Sequence, residues 1–197
     1  MAVAIDACIL SQFLFENCGE LIDFSTGKAI RSARERIDGL IQKVERDKDY
    51  VVVPTPALSE ALVVVAPSVQ KYLDILHSQA CFKIVGFGER AAVEVALRAK
   101  TGLSTHDKKE AVKSAWNKVK YDRQIVAIAK CENVTAIYSA DKDIHSHARL
   151  WGMAVFNVCD LQVPPQQQKL FTSSQSEAQP SQPQTSSTQD DSKAKSA

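Results

Sequence analysis

The chain has no long apolar run. Its longest, near Ala61 to Ala66 (ALVVVA), is far too short to cross a bilayer, which takes about 20 apolar residues as a helix. No basic stretch leads into an apolar one at the N-terminus, so no signal peptide is expected, and the expected setting is cytoplasmic with no membrane partner. Paired cysteines are also missing. Cys8, Cys18, Cys81, Cys131 and Cys159 are odd in number, widely spaced and never in a CxxC pair, which excludes a zinc finger and a disulfide framework. Most stand beside apolar residues, where a reduced thiol behaves as a small hydrophobe, in keeping with a reducing compartment. No charge sign dominates either. The formal net charge is +1, so an anionic ligand must be drawn by a local patch rather than by the field of the whole molecule.

What is present is enough apolar material, 45% of 197 residues, for one real core. The composition changes at Pro164, where PPQQQKLFTSSQSEAQPSQPQTSSTQDDSKAKSA begins. Such a segment buries too little apolar surface to offset its ordering entropy. The expectation is a domain over 1–163 and a disordered Gln/Ser/Pro-rich tail over 164–197.

Within the domain, short β-type runs alternate with helical patterns. AVAI (2–5), YVVVP (50–54), CFKIVGF (81–87), VTAIYSA and MAVFNV read as strands. CILSQFLFENC carries helical spacing, and 29–47 reads as an amphipathic helix with Ile30, Ala33, Ile37, Leu40, Ile41 and Val44 on one stripe. Thr55 or Pro56 opens a helix through SEALVVVA, and Pro67 opens another. GERAAVEVALRAK is a helix ended by Gly102, NKVKYDRQIVAIAKCEN another, and DIHSHARLWG a third ended by Gly152. Near-continuous apolar strands separated by helices imply a central parallel sheet covered on both faces, a three-layer α/β/α sandwich.

Five acids stand in apolar frames that would ordinarily carry no charge: Asp6, Glu60, Asp122, Asp141 and Asp143. Carboxylates near a core are costly unless paired or metal-bound. In open parallel sheets ligands bind outside the carboxyl ends of the strands. Asp6 directly follows the first strand, and Asp141 follows the late strand VTAIYSA. Glu60 is one turn into its helix, and Asp122 lies in the first part of the helix leading to the late strand. If the first and late strands are neighbours, all five can face one cleft. Hard oxygens in that number suit Mg²⁺ or Mn²⁺, and the chemistry that follows is metal-assisted phosphodiester hydrolysis, with ions about 3.5–4 Å apart in two-metal sites. Each acid alone also has a plain reading: turn residue (Asp6), solvated helix residue (Glu60), dipole partner (Asp122) and helix caps (Asp141, Asp143).

Together the motifs resemble the PIN domain. They are Asp6 after a buried strand, Glu60 in a P-x-L-S-E-A helix start, Asp122 in D-x-x-I-x-x-x-A, and Ser139-x-Asp141-x-Asp143. Over residues 1–160 the chain is most similar to the VapC-type ribonuclease toxins of toxin–antitoxin pairs. That resemblance implies an endoribonuclease dependent on Mg²⁺ or Mn²⁺ and selective for single-stranded RNA. Asp6, Glu60, Asp122 and Asp141 would be its central acids, Asp143 an accessory metal acid, and Ser139 a polar support. It also implies an antitoxin protein as partner and, by analogy alone, a homodimer. Many relatives carry a small hydroxyl or amide residue just after the first acid, where this chain has Ala7 and Cys8. Extra material lies around 19–36 and 101–115.

HDKKEAVKSAWNKVKYDR supplies cations, with Lys118, Lys120 and Arg123 nearest Asp122, and the interleaved Trp116 and Tyr121. Such a mixture suits phosphate contact and base stacking. His145 and His147 diverge on a helix and make a poor chelate. His145 shares a face with Asp141, although a surface or capping histidine is the plainer reading. Leu62, Leu73, Ile75 and Leu76 suit a core or a dimer face equally. The alternative function is a non-catalytic PIN-like module binding RNA or protein. A haloacid-dehalogenase phosphatase needs a D-x-D pair where this chain has Asp6-Ala7-Cys8. A receiver domain needs an Asp after the third strand, where Gly86-Phe87-Gly88 stand. A flap-type nuclease usually carries more acids on a larger chain.

Overall fold

The computed structural model describes residues 2–102 and 113–164. Past Pro164 the expected tail lies outside the described residues, as do positions 103–112 of the polar stretch. Five strands run in chain order: β1 (Val3–Ile5), β2 (Val51–Pro54), β3 (Phe82–Val85), β4 (Ala136–Tyr138) and β5 (Val155–Phe156). They form one all-parallel sheet in the order β3-β2-β1-β4-β5, with Val3 beside both Val51 and Ala136. Seven α-helices accompany them among the described residues: α1 (Ala7–Leu14), α2 (Ala33–Arg46), α3 (Thr55–Val63), α4 (Val69–Ser78), α5 (Glu89–Gly102), α6 (Lys113–Cys131) and α7 (Lys142–Leu150).

The alternation of side chains along each strand splits the core into two layers. Val3, Ile5, Val51 and Val53 pack on one face of the sheet with Ile9 and Leu10 of α1, Ile37, Leu40 and Ile41 of α2, and Leu76 of α4. Ala4, Val52 and Ile137 pack on the other with Ile125 and Ile128 of α6 and Ile144 and Ala148 of α7. The three-layer α/β/α architecture is thereby realised. Leu76 is fully buried in the core, while Leu62, Leu73 and Ile75 are half-buried against the first layer.

Two boundaries differ from expectation in ways that matter for the site. Helix α2 begins at Ala33 rather than near Ala29. Residues 21–30 instead make a small hairpin, with an antiparallel bridge between Ile22 and Ala29, the Ile30 amide donating to the Leu21 carbonyl at 2.8 Å, and Gly27 turning at φ +68°. Helix α6 already covers Lys113–Cys131 among the described residues, so Asp122 sits well inside it rather than in its first part. A mid-helix carboxylate is too far from the free N–H groups of the first turn to complement the helix dipole, which removes the plain reading of that residue. The helix expected from Pro67 begins as a 3-10 turn over Ala66–Ser68 and becomes regular at Val69.

Candidate active site

The strand order reverses between β1 and β4: successive strands step outward from β1 to β3, and the chain then returns to the other side of β1. That reversal opens a crevice at the carboxyl ends of β1 and β4, where α/β sheets bind ligands. Asp6 leaves β1 into the crevice and caps α1, accepting the Ile9 amide at 3.0 Å. Asp141 leaves β4 and caps α7, accepting the Asp143 amide at 2.8 Å.

A cavity of about 70 Å³ occupies this place, lined by Asp6, Ala7, Cys8, Glu60, Asp122, Ile125, Asp141 and Ile144. Four expected acids, carried by four different elements, meet there. Asp6 and Asp122 are buried, 3% and 4% exposed, Asp141 is half-buried, and Glu60 is exposed at the rim. Asp143 is not among the lining residues. It is exposed on the first turn of α7 and contributes its amide to Asp141.

The polar support is tightly organised. Ser139 is fully buried; its hydroxyl donates to Asp6 Oδ2, and its oxygen accepts the Asp141 amide at 2.9 Å. The Cys8 thiol lies 2.9 Å from Asp6 Oδ1 and 3.1 Å from Oδ2. Burial pushes the Asp6 carboxyl above its usual range, hydrogen bonds from Cys8, Ser139 and Ile9 pull it back, and the charge of Asp141 adds to the rise. Burial and then the Asp6 charge push the Cys8 thiol well above its usual range, so it stays protonated and acts as a donor.

His145 is neither a surface nor a capping residue. It is 3% exposed, and its Nε2 lies 2.9 Å from the Ser139 carbonyl. A carbonyl only accepts, so Nε2 carries the proton. Phe24 of the hairpin packs edge-on against its ring, centroids 4.8 Å apart. The hairpin is pinned by Asp23, which accepts from Ser25, Thr26 and, at 3.0 Å, the Asn157 side chain beyond β5. The hairpin thus braces the turn that carries Ser139 and Asp141.

Sequence reasoning missed Cys8 and this brace. The one available signal was that Cys8 stands two residues after the first acid.

Lys120 and Arg123 flank Asp122 on α6, but at 3.6 residues per turn they lie about 200° and about 100° around the helix from it. They do not line the cavity. Lys118 falls within α6, and its side chain is outside what is described. A larger open cavity of about 890 Å³, lined by Phe13, Phe15, Arg34, Val64 and Tyr72 among others, has Glu16 as its single acid. Its Arg34 is engaged with the carbonyls of Gln12, Phe13 and Phe15.

The small cavity fits a hard divalent cation in donor chemistry and size. Its four carboxylates would offer oxygen ligands, and the volume exceeds the share of roughly 30 Å³ that one water takes in the liquid. Among the described residues no three His, Cys, Asp or Glu side chains are already gathered to hold an ion.

No protein-family profile matches the chain, and no curated protein sequence does. Solved structures do match. VapBC2 from Rickettsia felis, solved bound to a DNA fragment from its promoter, aligns over 80% of this chain and 98% of that chain, with TM-score 0.53 and 12% identity. Mycobacterium tuberculosis VapC20, a sarcin-ricin loop cleaving toxin, aligns over 73% of this chain and 93% of that chain, with TM-score 0.44 and 11% identity. The fold is the PIN-like α/β/α fold of VapC-type proteins. No helix among the described residues is long and apolar enough to cross a membrane.

Proposed function

We propose that the chain is an endoribonuclease of the VapC type that cuts single-stranded RNA at the Asp6–Glu60–Asp122–Asp141 cavity with Mg²⁺ or Mn²⁺ bound. The observation that carries this reading is the meeting of four carboxylates from four elements at the sheet's reversal point, two of them buried. Burying two carboxylates at one cavity wall is costly, and a bound cation would offset that cost.

A bound divalent cation supplies charge neutralisation at the phosphate and a more acidic water. Asp6, Asp122 and Asp141 would hold it, with Asp143 one residue beyond the cavity wall. Glu60, exposed at the rim, would take a proton from an incoming water. Ser139 keeps Asp6 and Asp141 in register through its two hydrogen bonds. Lys120, exposed, and Arg123, half-buried, would contact phosphates of the strand beyond the cavity, as would Lys118. An antitoxin protein would restrain the activity, and a homodimer would be its working form, both by analogy with the fold.

The test is cleavage of labelled single-stranded and duplex RNA with Mg²⁺, Mn²⁺ or EDTA. Metal-dependent cutting confined to single strands supports the reading. Cutting that survives EDTA contradicts it, and ion-induced thermal stabilisation without turnover on any RNA favours a non-catalytic binding module instead.

A further inference from the structure

An ionised carboxylate offers about four acceptor positions. In Asp6 three donors engage them: the Ile9 amide on Oδ1 at 3.0 Å, the Ser139 hydroxyl on Oδ2, and the Cys8 thiol, which reaches Oδ1 at 2.9 Å and Oδ2 at 3.1 Å. Roughly one position is left for a ligand in the cavity. The Ile9 amide belongs to the helix cap and approaches from α1, and the Ser139 hydroxyl approaches from β4. Cys8 is the donor that itself lines the cavity.

The sulfur is also fixed from the turn that follows β4. The Ala140 amide, between Ser139 and Asp141, donates to Cys8 Sγ at 3.4 Å. Cys8 therefore touches both segments that deliver acids to the crevice: Asp6 through its proton, and the Ser139–Asp141 turn through its lone pair. A side chain that merely filled space would make neither contact.

We propose that Cys8 is a positioning residue for Asp6: held between the start of α1 and the turn after β4, its thiol turns the Asp6 carboxylate so that the remaining acceptor faces the cavity in register with Asp141. This rests on the ion-binding reading of the cavity. It also gives a reason for a thiol two residues after the first acid: serine could supply the same donor, whereas valine of similar bulk could not.

Calorimetric titration with Mn²⁺ of the full chain, wild type against Cys8→Val and Cys8→Ser, tests it, with unfolding midpoints measured in EDTA alongside. Loss of a partner that orients a metal ligand typically weakens affinity about 10- to 100-fold. Cys8→Val is expected to lose Mn²⁺ affinity by that factor, and Cys8→Ser to recover most of it, with neither following the EDTA midpoint. Should Cys8→Val fail to fold, Cys8→Ala, which introduces no branched side chain, takes its place. Wild-type affinity in the valine or alanine variant overturns the proposal, as does a serine variant no better than valine. A wild-type chain that neither binds Mn²⁺ nor cuts RNA removes the ion-binding reading itself. RNA cutting by wild type with unchanged affinity in Cys8→Val removes the role of Cys8 alone.

Discussion

Asp6 and Ser139, 133 positions apart in the chain, share a buried hydrogen bond in which the serine hydroxyl donates to the carboxylate. The same oxygen accepts the Asp141 amide at 2.9 Å. One side chain thus sets the spacing of two acids that follow different strands.

Removing it should separate folding from function. Ser139→Ala leaves the Asp141 amide without its acceptor and Asp6 without one donor, at a stability cost of about 1–3 kcal/mol. Thermal unfolding should show a loss of that size in a chain that still folds. Metal-dependent cleavage should fall steeply while RNA affinity, measured by filter binding in EDTA, holds.

Asp6 should oppose stability when no ion is bound. Its carboxyl titrates above the ordinary value in the fold, chiefly through burial, so the folded chain holds that proton more tightly than the unfolded one. Ion-free stability therefore falls as pH rises from the ordinary carboxylate value through the raised one, and levels off above it. Asp6→Asn should lack this fall, while losing cleavage. Urea unfolding across pH and cleavage assays check both; a fall of the same size in Asp6→Asn would contradict the assignment to Asp6.

His145 supports Ser139 from beneath by donating to its carbonyl at 2.9 Å. His145→Leu leaves that buried carbonyl without the bond and should cost about 1–3 kcal/mol. Cleavage should drop with it. His145→Gln, which retains an N–H donor, should recover part of both, as unfolding and cleavage assays on the same samples will show.

Lys120 and Arg123 lie off the cavity, so replacing them should weaken RNA binding without touching the ion. Alanine at both should lower the slope of log affinity against log salt by about 0.7 for each phosphate no longer neutralised. The stabilisation of the fold by Mn²⁺ should stay at its wild-type value.

The strands and the acids that directly follow them were legible because β-branched runs and strand-end aspartates are local signals: Val51, Val52 and Val53 mark β2, and Asp6 and Asp141 each follow an apolar run. The hairpin over 21–30 was not legible, because Asp23 is held by Asn157, 134 positions away. Helix spacing put His145 on the face of Asp141 but carried no information about its burial. Cys8 reads as a small hydrophobe until the acid it faces is known. The depth of Asp122 in its helix was not legible, because the helical pattern reads from Asn117 whereas α6 already covers Lys113–Cys131.

The most direct test of the central claim sits at Asp122, which reaches the cavity from the middle of α6, remote in sequence from every other acid except Asp141 and Asp143. Cleavage of single-stranded RNA should be measured over a Mn²⁺ titration for wild type and Asp122→Asn, with folding of both checked by thermal unfolding in EDTA. The expected result is metal-dependent cutting by wild type and none by a folded Asp122→Asn. Equal cutting by the two proteins, or cutting that ignores the metal, would contradict the claim that these four carboxylates form one ion-dependent nuclease site.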